Sequence, residues 1–310
     1  MPVSTREAYG QALVDLAGRY DYLVLDADLS KATQTVLFSK AHPDRFFNMG
    51  IAEANMMAVA AGMAACGETV FASSFAVFAA GRAFEQVRNS IAYPKLNVKI
   101  AATHGGVLIG QDGGSHQAIE DLSLMRTLPN MTVIAPCDEH SAKKAVEAAL
   151  QIDGPVYLRF GRFAPDADVY TAADAPFTVG KGNVLREGAD VAIFAIGDLV
   201  CMALEAAKAL EAQGVSAAVV DLHTVKPLDR QLVLDMAQKT GHLVTAEDHS
   251  IIGGLGSAVA EVLSEQPLAS LRRIGLNDTF GVTGSREDLA RHFGLTPQHI
   301  AQVCLESLGR

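Results

Sequence analysis

Tryptophan is absent, and the four cysteines, Cys66, Cys137, Cys201 and Cys304, include no CxxC pair. Zinc and redox motifs draw on closely spaced thiols, so neither suits this chain, and the cysteines are expected as buried free thiols. Positive charge is scarce: 25 Lys and Arg against 35 Asp and Glu leave a net charge of −10. A nucleic-acid-binding surface wants a basic stripe, which this balance argues against. No stretch reaches the roughly 18–20 uninterrupted apolar residues of a membrane span. The opening residues, MPVSTREAYG, lack the apolar core of a signal peptide, which predicts a cytoplasmic protein.

What is present is a chain of 310 residues, 49% hydrophobic, enough for two domains with separate cores. Short apolar strands alternate with helices, which predicts α/β architecture: two three-layer domains with mainly parallel sheets. The first unit, 1–164, reads as helix 4–19, strand 22–25, helix 53–66, strand 69–71 and a loop over 72–78. It continues with helix 82–92, strand 98–102, a glycine-rich loop at 104–114, helix 116–127, strand 131–134, helix 139–150 and strand 156–158. Residues 165–180 lose the apolar period and are expected to link the two units. The second unit, 181–310, carries strands at 191–195, 217–219, 243–246 and 271–275. Its helices are expected at 199–213, 229–240, 255–265 and 296–308.

The rest of the chain is organised around residues 46–65, FFNMGIAEANMMAVAAGMAA. Apolar residues cover nearly every face of the helix that Glu53 opens, which predicts burial on all sides. Glu53 then either complements the helix dipole at a solvated end or is a buried carboxyl needing a partner or a proton. Two further loops hold groups fit for chemistry. Phe75 and Phe78 are three apart after a strand, as core plugs or as a face for a flat ring. HGGVLIGQDGGSHQAIED, over 104–121, holds His104, Asp112, His116 and five glycines. It does not fit GxGxxG, and two histidines twelve apart with no third ligand are a poor zinc site. An open loop that presents a histidine suits contact with a substrate.

These blocks, in this order, resemble the transketolases over essentially the whole chain. GIAEANM followed by an Ala/Gly-rich helix is similar to the segment whose glutamate activates thiamine diphosphate, which implies that role for Glu53. SSFAVFAAGRAFEQVR resembles the segment that packs on the cofactor's aminopyrimidine ring, with Phe78 at the stacking position and Phe75 lining the same pocket. The related deoxyxylulose-phosphate synthases carry arginine at the Phe78 position. One extra residue precedes Arg82 relative to some relatives, which leaves Arg82 unassigned. The resemblance places Asp28 near cofactor and sugar, Asp112 and His116 at the ketose hydroxyls, and His104 at the phosphate end. Arg6, in STREAYGQAL, and Arg162, in LRFGR, match arginines that bind substrate phosphate. Guanidinium groups suit that role, although spacing alone also fits surface salt bridges. Where the family has a phosphate-binding serine this chain has Ala32, so Thr33 or Ser30 substitutes or phosphate is held less tightly.

VDLHTVKPLDRQ and EDHSIIGGLGSAVAE resemble the family's C-terminal domain, which implies a structural role for the second unit. The GDG motif and downstream asparagine that hold the metal ion in the family are missing; Ile196-Gly-Asp198-Leu is the nearest stretch. No metal site is therefore expected in this chain. The resemblance implies a split transketolase whose N-terminal partner subunit binds the diphosphate and Mg2+ (or Ca2+), with a homodimeric contact giving α2β2. The competing readings are the β subunit of a 2-oxoacid dehydrogenase and a noncatalytic partner subunit. The former carries His-Ser-Gln where this chain has Ser-His-Gln.

Overall fold

The computed structural model describes residues 2–171 and 175–310. The linker expected over 165–180 includes residues 172–174, which lie outside the described residues. Twelve strands are formed: β1 (Leu23–Asp26), β2 (Phe46–Asn48), β3 (Val70–Phe75), β4 (Val98–Thr103), β5 (Thr132–Ile134), β6 (Val156–Arg159), β7 (Asn183–Arg186), β8 (Val191–Ala195), β9 (Ala217–Asp221), β10 (Thr224–Lys226), β11 (His242–Ser250) and β12 (Ser270–Leu276). They make a seven-stranded sheet in the order β10-β5-β6-β4-β3-β1-β2 and a five-stranded sheet in the order β12-β11-β8-β9-β7. Among the described residues only the edge strands β10 and β7 run antiparallel to their neighbours; the other pairings are parallel.

Burial explains the parallel arrangement. Every residue of β3, β4 and β6 is buried, as strands covered on both faces must be. On one face Leu25, Ile100 and Tyr157 pack with Met56 and Met57 of helix Glu53–Ala65. On the other, Phe71 and Phe160 pack with Tyr9 and Leu13 of helix Thr5–Leu16. That helix starts at a capping box in which Ser4 and Glu7 satisfy each other's backbone groups. Sheet and helix ends then place the candidate residues. Phe75 ends β3, His104 directly follows β4, Asp28 stands two residues beyond β1 and Arg162 three beyond β6. The carboxyl ends of parallel strands are where such sheets bind ligands.

Several local expectations are corrected. The loop expected over 72–78 is strand to Phe75 and helical from Val77, because Ala72, Ser73 and Ser74 are small enough for a strand buried on both faces. The helix expected from 116 starts at Asp121; Gly113 at φ 78° and a bridge between Gly105 and Ala118 hold the preceding residues in turns. Helix Glu53–Ala65 is not buried all round, since Asn55, Ala58, Gly62 and Ala65 form an exposed stripe. Small apolar residues read as buried in the sequence, yet among the described residues no element covers that face. Cys66, expected buried, is exposed at the end of the same helix; Cys137, Cys201 and Cys304 are buried.

Between the sheets lies a polar cluster. Asp221 Oδ2 accepts from the Tyr170 hydroxyl at 2.8 Å and from the Cys137 thiol, while Oδ1 has no hydrogen-bond partner among the described residues. Burial, with Asp138 nearby, pushes the Asp221 carboxyl up to about 7. The folded chain therefore holds this proton more tightly than the unfolded one. The stability it contributes is full below the unfolded value near 3.8 and is lost as pH rises through about 7. Asp221→Asn keeps a neutral group in place, so its melting temperature should fall less than the parent's between pH 5 and pH 8. A difference of a few degrees is expected from thermal scans at the two pH values.

Candidate active site

Glu53 is 1% exposed, which excludes a solvated helix end. It lies in the first turn of helix Glu53–Ala65, whose cap residue Ala52 offers no side-chain hydrogen bond. The Arg82 Nη1 donates to Glu53 Oε2 at 2.8 Å, and the Ser74 hydroxyl lies 3.4 Å from Oε1. The buried carboxyl thus has a charged partner that the sequence left unassigned. Arg82 reaches it from the helical segment Val77–Arg82, which is wound more widely than an α-helix. Such a turn takes in more residues than an α-helical one.

The aromatic residues form one group. Phe75 and Phe78 lie nearly parallel, with ring centroids 6.0 Å apart and planes 11° apart. His104 stacks on Phe75 at 3.9 Å. His116 approaches edge-on, 5.3 Å from Phe78 and 6.3 Å from Phe75. The Arg82 guanidinium lies over Phe78, 4.4 Å from its centroid. Burial, then the charges of Arg6, Arg162 and His116, hold the His104 imidazole down at about 3. His104 is therefore neutral at ordinary pH and can bring a hydrogen bond, but no charge, to an anion.

The two arginines expected at a phosphate stand together. Arg6 Nε donates to the Arg162 carbonyl and Arg6 Nη1 to the Ala32 carbonyl, each at 2.9 Å. Arg6 is held by backbone, so the missing serine side chain at position 32 does not loosen it. Thr33 is no substitute for that serine: it is fully buried and its hydroxyl donates to Asp26 at 2.7 Å. Arg162 pairs with Asp112 at 3.0 Å and donates to the Ile109 carbonyl at 2.6 Å. A cavity of about 460 Å³ opens beside it, lined by Gly110, Gln111, Phe163 and Ser285 among others. Asp28 stands apart from this group, exposed, at φ 63°, and accepts from Asn48 at 2.9 Å.

Residues of the second unit also hold the site, and these the sequence did not single out. Asp248 of β11 accepts from the backbone N–H of Val107 at 2.8 Å and of Leu108 at 3.0 Å. Arg159 donates to the Asp248 carbonyl at 2.9 Å and pairs with Asp121. Gly106 passes so close that a Cβ there would lie 2.0 Å from the Asp248 carboxyl. Gln117 donates to the carbonyls of Val107 and Val282, joining the same loop to the second unit again. The glycine-rich loop is thus clamped from outside its own domain. Only the contact between EDHS and the loop, invisible in linear sequence, could have revealed this.

Comparison with known proteins gives a consistent picture. A family model described as "Transketolase, pyrimidine binding domain" matches residues 1–164, and one described as "Transketolase, C-terminal domain" matches residues 180–300. The chain is similar to a protein of Methanocaldococcus jannaschii named as a transketolase C-terminal section, 47% identical over 305 residues, covering 98% of this chain and 96% of that protein. It is similar to a 6-deoxy-6-sulfo-D-fructose transketolase subunit of a Clostridium species, 45% identical, covering 97% of this chain and 93% of that one. Among solved structures it resembles one described as a split gene transketolase, inactive beta4 tetramer, with a TM-score of 0.91 and 52% identity. The match covers 100% of this chain and 99% of that one.

Proposed function

This chain belongs to the transketolase family, matching its pyrimidine-binding and C-terminal domains, and from that premise we propose that it is the C-terminal subunit of a split transketolase. With an N-terminal partner subunit it transfers a two-carbon ketol unit from a ketose to an aldose. One observation carries the reading: a buried carboxyl, Glu53, and the face of Phe78 are bridged by a single planar group. A flat ring with a hydrogen-bonding edge needs the same two contacts, which suits the aminopyrimidine of thiamine diphosphate. Among the described residues no group of three or more His, Cys, Asp or Glu could hold a metal ion. We assign the diphosphate and its Mg2+ or Ca2+ to the partner subunit, and the assembly to two copies of each chain.

When bound, thiamine diphosphate supplies a nucleophilic ring carbon that breaks the bond beside a ketose carbonyl and carries the two-carbon fragment. Glu53 would be the hydrogen-bond partner of a ring nitrogen, and its burial keeps water from competing for that contact. Phe78 gives the ring its face and Phe75 closes the pocket behind it. Ser115 engages His116 Nδ1 at 3.0 Å, which leaves Nε2 for a sugar hydroxyl. Asp112, oriented by Arg162, accepts from a second hydroxyl. Arg6 and Arg162 supply the charge at the distal end, and neutral His104 supplies a hydrogen bond there. Asp28, exposed and apart from these residues, would meet cofactor or sugar only from the rim.

The test is to mix the chain with its N-terminal subunit, thiamine diphosphate and Mg2+, then follow two-carbon transfer between ketoses and aldoses. Transfer by the mixture and none by this chain alone is the expected result. Oxidation of a 2-oxoacid with an artificial electron acceptor, without ketol transfer, would replace the reading with the dehydrogenase one. Arg162→Ala separates substrate classes in the same assay. Its kcat/KM for a phosphorylated ketose relative to the free sugar should fall about tenfold or more, because a guanidinium hydrogen bond to phosphate is lost. An unchanged ratio would remove Arg162 from phosphate recognition.

A further inference from the structure

Arg82 makes both contacts that the cofactor ring requires. Its Nη1 is 2.8 Å from Glu53 Oε2, and its guanidinium lies 4.4 Å from the Phe78 centroid. A guanidinium is planar, edged with donors and apt to stack on aromatic faces, so it shares the shape of the aminopyrimidine it would face. The two groups cannot use the same oxygen together. Arg82 needs a lone pair on Glu53 Oε2, whereas a ring nitrogen that accepts a hydrogen bond needs an O–H there. They also cannot lie on the same ring face at once.

We propose that Arg82 is an internal occupant of the cofactor's ring site, an autoinhibitory contact that thiamine diphosphate must displace. The proposal rests on the functional reading above. The means of release is visible in the side chain: Glu53 is 1% exposed, but Arg82 is 50% exposed. Arg82 can therefore swing its head into water while its stem stays on the helical segment, whereas Glu53 has no such freedom. Its departure frees Glu53 Oε2 for a hydrogen bond with the ring. Arg82 lies four residues after Phe78 in the helical segment Val77–Arg82, a spacing that sets the two side chains on one face of it.

The experiment measures thiamine diphosphate binding, not turnover. Calorimetric titration in the presence of Mg2+ is applied to complexes of the N-terminal subunit with the parent chain, Arg82→Ala, and Arg82→Ala combined with Glu53→Ala. Arg82→Ala is expected to bind about tenfold more tightly than the parent, and the added Glu53→Ala to abolish that gain. Arg82→Gln, which drops the charge but keeps a polar head, should shift affinity in the same direction. Unchanged or weaker binding by both Arg82 variants would overturn the proposal. If Glu53→Ala made no difference in the Arg82→Ala background, the ring would not sit on Glu53. The functional reading would then fail as well.

Discussion

Glu53→Ala, in the complex with the N-terminal subunit, is expected to lower ketol transfer by roughly 10²–10⁴-fold, the range for losing a positioned proton donor. Glu53 is held in place by the start of a helix whose same face, one turn on, is packed into the core by Met56 and Met57. Folding should suffer little. The variant removes a buried carboxylate whose charged partner, Arg82, is half exposed and can return to water, so no charge is left buried and unpaired. The melting temperature should therefore stay close to the parent's while turnover collapses, and KM for the sugars should change little because Glu53 faces the cofactor. Initial rates with saturating ketose and aldose check this. Turnover near that of the parent would remove Glu53 from the chemistry.

The second large effect is expected far from the cofactor in sequence. Asp248→Ala should reduce kcat/KM by about 10²-fold, chiefly through KM, since a displacement of about 1 Å in a positioning loop can cost that much. Asp248 holds the N–H groups of Val107 and Leu108, and the loop they belong to carries Asp112 and His116. Its removal leaves two buried donors unpaired, each costing about 1–3 kcal/mol, so a fall in stability accompanies the loss of activity. Asp248→Asn separates the two. It keeps the volume and one acceptor, so more stability than activity should return. Burial is the first cause that pushes the Asp248 carboxyl up, to about 6, against the pull of Arg159 and the two backbone donors. Asp198 adds to the rise. The proton, once taken up, turns one accepting oxygen into a donor. Loop contacts should weaken as pH falls through 6, an acid limb in kcat/KM that Asp248→Asn should flatten. An unaltered KM in Asp248→Ala would show that the clamp does not shape the site.

Much of this was legible in the sequence, and what was not has identifiable causes. Apolar strands buried on both faces and helices between them gave the layered parallel sheets, because burial dictates both patterns. The resemblance carried by the blocks around Glu53, Phe75, Phe78, His104, Asp112, His116 and Arg162 pointed to the candidate site, and the structure gathers most of them at neighbouring strand ends. Asp28 was placed by the resemblance; the structure leaves it exposed at positive φ and paired with Asn48, while Asp26 takes the buried network with Thr33 and Thr35. Thr33 read as a spare phosphate ligand because sequence does not show which hydroxyls are already engaged. Arg82 was unreadable because its position depends on a wide helical turn, which shifts every following side chain relative to an α-helix. Asp248 was hidden for a different reason. Its partner lies 141 residues away, and a carboxylate bound to backbone N–H groups leaves no trace in the partner's side chains.

One structure would test the central claim most directly: this chain assembled with its N-terminal subunit and thiamine diphosphate. The expected result is an aminopyrimidine lying over Phe78 with a ring nitrogen at hydrogen-bond distance from Glu53, the diphosphate and metal ion held by the other subunit, and Arg82 withdrawn. A ring bound elsewhere, with Glu53 still paired to Arg82 in the loaded complex, would contradict it.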